Sequence, residues 1–114
     1  MHEEISLIQA LQDTMQQAYE ANEAAYEAGI ERAQAEQQYR EALARKVEAL
    51  RREKSYPVSI VQDIAKGSHE VTQAARRRDE AEELRETKRE EVMLRKREAD
   101  ILRDQIQRDY AVTK

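Results

Sequence analysis

The feature that most constrains this chain is its single interruption. Pro57 is the only proline, and it lies in Lys54–Gly67, which also holds one of only two glycines. Proline fixes φ and donates no backbone hydrogen bond, so a helix arriving from residue 3 ends before Pro57. Tyr56, preceding it, is steered to extended geometry. The spacing after it predicts a short second helix. Ser59 and Gln62 stand as a Ser-x-x-Gln capping box, and Gly67 suits the left-handed position after a helix end. Ser68 is then the expected N-cap of a further helix, with Glu70 in its first turn suiting the positive end of the dipole. Ile60, Val61 and Ile64 give the short helix an apolar side expected to pack on Leu50 and Val71.

On both sides of this break the composition is that of long helices. Charged residues make up 39% of 114 positions; Trp, Phe and Cys are absent. The sequence therefore predicts a single all-α domain. A helix over 3–54 and another over 68–112 fold back as a long antiparallel hairpin, with the short helix inside the turn at 55–67. Two helices side by side bury little, and small cores rarely supply more than ~3–5 kcal/mol. Pairing of two hairpins into a four-helix homodimer is the expected remedy.

The first long segment carries its apolar residues at helical spacing: Ile8, Leu11, Met15, Ala18, Tyr19, Ala25, Tyr26, Ile30 and Ala33, then Leu43, Val47 and Leu50. These are the expected packing and oligomer positions. Ala18-Tyr19-Glu20-Ala21 returns seven residues later as Ala25-Tyr26-Glu27-Ala28. A looser copy at Tyr39 falls out of phase, so the strict heptad is expected to lapse and the helices to run nearly straight. Gly29 costs ~1 kcal/mol relative to alanine inside a helix, and a close approach by a neighbouring helix is its expected use.

The second long segment keeps an unbroken 3-4 spacing through Val71, Ala74, Arg78, Ala81, Arg85, Lys88, Val92, Arg95, Ala99, Leu102, Ile106 and Asp109. Val92, Leu102 and Ile106 are its expected packing anchors. The basic members have long alkyl stems that lie along a seam while the charge reaches water, and alanines on the facing helix leave room for them. Counting equal rises from the turn places Leu50 near Val71 and Met15 near Leu102. Between Arg76 and Asp109, eleven basic and eleven acidic residues fall at offsets that pair them along the helix, such as Arg76–Glu80, Arg78–Glu82 and Glu91–Arg95.

Charge is distributed unevenly. Residues 1–31 hold seven acidic residues and neither Lys nor Arg, whereas Arg45–Arg78 holds nine basic and four acidic residues. The turn therefore gathers Arg51, Arg52, Lys54, Lys66, Arg76, Arg77 and Arg78, with Asp63 among them, as a candidate tip for nucleic acid or a protein partner. Basic clusters bind phosphate, but a net charge of −4 disfavours a dedicated nucleic-acid binder.

The sequence gives no sign of catalysis. It offers no cysteine nucleophile, no glycine-rich phosphate loop and no Glu-x-x-His pair for a di-iron bundle; its two histidines have no metal-ligand spacing. An enzyme, a cofactor and a metal are all unexpected. No apolar run approaches the ~20 residues that cross a bilayer, and the acidic start is unlike a signal peptide, so a cytoplasmic protein with no membrane contact is expected.

The stretch Pro57-Val58-Ser59 followed by Asp63-Ile64-Ala65-Lys66-Gly67 resembles small helical phage and prophage proteins of Firmicutes. In them Pro-Val-[Ser/Thr] precedes Asp-[Leu/Ile]-Ala-[Lys/Arg]-Gly. The specific part of the resemblance spans about a dozen residues. It implies no established activity. Through the placement of such proteins among replication and recombination genes, it implies an accessory role near DNA, with Asp63 and Lys66 singled out. The expectation is a non-enzymatic scaffold or interaction module; the alternative is an accessory nucleic-acid-binding protein acting through the basic tip.

Overall fold

The computed structural model describes residues 2–53 and 56–113, with side chains described over 6–53 and 56–111. It is all-helical: α1 spans His2–Glu53, α2 Val58–Gly67 and α3 His69–Thr113. The chain divides into two compact units, Ala28–Arg85 and Met1–Glu27 with Glu86–Lys114.

In the Ala28–Arg85 unit, three ion pairs fix direction and register. Arg32 meets Glu82 at 2.8 Å, Glu36 meets Arg78 at 3.8 Å and Lys46 meets Glu70 at 3.6 Å. Numbers rise on α1 as they fall on α3, so the helices are antiparallel. The register differs from equal counting through the turn, which set Leu50 beside Val71. α3 begins level with about Val47, and α1 continues to Glu53, roughly 9 Å further at 1.5 Å per residue. That overhang is close to the ~10 Å width of one helix, the space α2 needs.

The local chemistry of the turn also departs from expectation. The Ser59 capping box does not form: α2 starts at Val58, its N-cap is Pro57, and no side chain caps it. The Pro57 carbonyl instead accepts from the N–H groups of Ile60 and Val61, both at 3.1 Å. Gly67 ends α2 without a positive φ, because Ser68 makes the break, with φ −70° and ψ 153°. Its hydroxyl (2.6 Å) and its N–H (3.1 Å) both donate to the Ala65 carbonyl, so its side chain closes α2 rather than capping α3. The Thr72 N–H donates back to the Ser68 carbonyl at 2.9 Å.

The inner side of α2 is Val61 and Ala65, each 0% exposed; Val71, at the start of α3, is 1% exposed. Ile60 and Ile64, expected in this lid, face outward and are 46% and 41% exposed. Residues 61 and 65 lie four apart on one face. Residues 60 and 64 form the adjoining ridge, about 100° round the helix.

The facing surfaces of α1 and α3 follow one rule in each unit. On α1 the seam consists of Ala28, Arg32, Ala35, Tyr39, Ala42 and Lys46 in one unit, and Leu7, Leu11, Thr14, Ala18, Ala21 and Ala25 in the other, all buried or half-buried; Leu43, Val47 and Leu50 of the expected stripe are half-buried as well. The 4-3 spacing of this seam holds as far as Lys46, past the Tyr39 region where the heptad was expected to lapse; beyond it Ala49 is exposed while Val47 and Leu50 are half-buried. On α3 all twelve positions of the expected stripe, Val71 to Asp109, are buried or half-buried. Arg78, Arg85 and Arg95 lie within it with about a third of each side chain exposed. Alanine on one helix accommodates arginine stems on the other.

Gly29 makes no close approach. A Cβ built there meets nothing within 4 Å. Among the described residues no helix is long and apolar enough to cross a membrane.

Candidate functional site

The tip residues fall into two groups. Arg78 is engaged: its guanidinium lies 4.1 Å from the centre of the Tyr39 ring, 3.2 Å from Asp79 and 3.8 Å from Glu36. Burial opposes its charge, but hydrogen bonding and attraction to Asp79 and to Tyr39 outweigh burial and raise its pKa. Arg78 is therefore part of the seam rather than a free phosphate ligand. Arg76 pairs with Glu80 at 3.0 Å and Arg52 with Glu48, both one turn away on the same helix.

Arg51, Lys66, Arg77 and Asp63 are exposed and make no ion pair with another described residue. Arg77 lines a shallow groove with Arg45, but Glu41 and Glu70 line it too, so the groove is mixed in sign. Lys54 lies outside the described residues. The α3 charge ladder also differs in detail from its sequence pattern. Glu82 serves Arg32 and Arg85 rather than Arg78, and Arg95 turns to Glu98 rather than Glu91. For Glu82 and Arg78 the cross-helix partners Arg32 and Glu36 decide the choice, and local spacing carries no trace of them; Arg95 instead takes a partner three residues along its own helix.

A second surface is apolar. On α1, within the Met1–Glu27 and Glu86–Lys114 unit, Ile8, Met15, Tyr19 and Tyr26 are 46%, 47%, 60% and 72% exposed. The seam lies one position to their N-terminal side, so these large residues form a parallel outer stripe. Leu11, Leu102 and Ile106 are half-buried and Val92 is buried, as expected of seam residues. Ile30, in the other unit, is exposed as well. The Tyr19 hydroxyl donates to Glu23, and the bond and the nearby charge raise the phenol pKa above 10.0.

The flank of α3 adjoining this stripe is defined by one contact: an Arg103 Nη2 lies 3.9 Å from Met15 Sδ. Arg89, Lys96, Arg103 and Tyr110 recur there every seven residues, all exposed, with Met93 between them at 65% exposure. Among the described residues no group of three or more His, Cys, Asp or Glu side chains converges as a metal site.

Comparison with protein families, with characterised proteins and with solved structures finds no match.

Proposed function

We propose that this chain is a non-enzymatic helical interaction module that works as a homodimer. One observation carries the reading. Among the residues with described side chains, the buried apolar ones are Ala and Val alone, and no Ile, Leu, Met or Tyr is buried. A chain whose large apolar groups are at best half-buried, with Ile8, Met15, Tyr19, Tyr26 and Met93 exposed, lacks much of the burial that normally supports a fold. A second layer of helices supplies it. Sedimentation velocity from 1 to 100 µM, concentrations chosen to span roughly micromolar affinities, tests the reading. A concentration-dependent dimer is expected; a folded monomer throughout refutes it.

A second reading, phosphate binding at the tip in an accessory role near DNA, draws on Arg51, Lys66 and Arg77, which are exposed and unpaired among the described residues. It is in keeping with the phage-like motif at Pro57–Gly67. Three cations imply a shallow salt dependence, with a slope near −0.9 per phosphate on duplex DNA. Titration with labelled single- and double-stranded DNA at low salt tests it: binding lost in the Arg51→Glu, Lys66→Glu, Arg77→Glu variant supports it, and no binding at low salt removes it.

A further inference from the structure

The outer stripe of α1 also specifies how two copies meet. This inference rests on the dimer reading and adds its geometry. We propose that two protomers pack face to face about a two-fold axis parallel to the helices, so that α1 of each copy lies over α3 of the other.

Two face-to-face arrangements are open to a hairpin: α1 over the second copy's α3, or α1 over the second copy's α1. Charge separates them. Residues 1–27 hold six acidic residues and neither Lys nor Arg. Stacking α1 on α1 sets acid against acid with no cation between. The α3 flank beside the stripe carries Arg89, Lys96 and Arg103, two of them paired on the same helix, Arg89 with Glu86 at 3.8 Å and Arg103 with Asp100 at 3.6 Å. It thus offers cations where residues 1–27 of α1 offer none, and like-charge juxtaposition across an interface costs several kcal/mol while opposite sign steers encounter.

Side-chain heights agree. Met15 and Arg103 lie side by side within one protomer. One heptad outward along both antiparallel helices are Ile8 and Tyr110. About one and a half heptads inward lie Tyr26 and Met93. An axis parallel to the helices preserves height. Ile8 of one copy therefore meets Tyr110 of the second, and Tyr26 meets Met93, apolar on apolar at both ends. Between them, Tyr19 and its hydrogen-bonded Glu23 lie level with Lys96, and Met15 with Arg103, whose stems cover the stripe while their charges meet the acidic helix. All of these side chains are exposed in the protomer, so the contact needs no refolding.

The chain has no cysteine, which makes the test direct. Tyr26→Cys chains are mixed with Met93→Cys chains, equilibrated and oxidised. A covalent heterodimer is expected from the mixture, and none from a mixture of Tyr26→Cys with Ile8→Cys. Sedimentation of the unmodified chain runs alongside. A monomer there removes both the dimer reading and this geometry. A dimer that cross-links Tyr26→Cys to Ile8→Cys, or gives neither product, overturns the geometry alone. Met15→Glu is the second measurement. It weakens the dimer by roughly thirtyfold or more, the scale for losing an interface anchor, while far-ultraviolet circular dichroism at high protein concentration stays helical. An unchanged dimer affinity also overturns the proposal.

Discussion

Replacing Gly29 by alanine adds one methyl group in the middle of α1 and tests how that helix is used. Glycine inside a helix is less stable than alanine by about 0.8–1.0 kcal/mol, because the unfolded chain has more freedom to lose. Three observations let the full value through. Gly29 lies far from either end of His2–Glu53. Its backbone has no positive φ. The new Cβ meets nothing within 4 Å. With an unfolding entropy of ~2.1 cal/mol/K per residue over 114 residues, a gain of ~1 kcal/mol raises Tm by about 4 °C. Thermal unfolding followed at 222 nm is the assay, at one fixed protein concentration because association shifts Tm by mass action. A Tm that is unchanged or lower refutes the reasoning. Gly29 stands two heptads beyond Met15 on the same flank, so a loss would mean that a second chain comes close where the protomer leaves open space.

Three further outcomes are expected. Val61→Ala removes two methyl groups from a side chain with 0% exposure and costs about 2 kcal/mol by chemical denaturation, whereas Ile60→Ala, half-exposed one position away, costs under ~1 kcal/mol. Arg78→Ala loses the Tyr39 face and the Glu36 pair and destabilises by about 1 kcal/mol, while Arg77→Ala falls within ~0.5 kcal/mol of zero; equal effects would break the distinction between them. Tyr19 titrates above 10.0 because it donates to Glu23 and feels its charge. This contribution is whole below the unfolded pKa of 10.0 and is lost as pH rises through the higher folded value. In Glu23→Gln its titration, followed by NMR of the labelled ring, moves down.

The architecture was legible because breakers are scarce. Pro57 ends α1 wherever the rest of the chain lies, and α3 announces its seam through an unbroken 3-4 spacing that the structure follows at every position from Val71 to Asp109. On α1 the expected stripe was right in part: Leu11, Ala18, Ala25, Leu43, Val47 and Leu50 are half-buried, whereas Ile8, Met15, Tyr19, Tyr26 and Ile30 are exposed. Close helix contact selects small residues, and Ala21, Ala28 and Ala35, outside the stripe, are the buried ones. The turn misled at its caps. Ser59 and Gly67 have the expected residue types, but the Pro57 carbonyl and an extended Ser68 close the ends of α2 by other means. At the tip, composition located the cations but could not say which were spoken for. Arg78 is held by Tyr39 and Glu36, about forty residues earlier, a relation fixed only once the two helices are in register.

The joint at Ser68 has a consequence for anything that meets this end of the molecule. A single residue separates α2 from α3, so two dihedral angles set the aim of the short helix, and two hydrogen bonds to the Ala65 carbonyl pin them. The exposed ridge of Ile60 and Ile64 is thus held out at a preset angle to the start of α3, as a key is held by its bow. A binding partner there gains a surface that needs no ordering on contact.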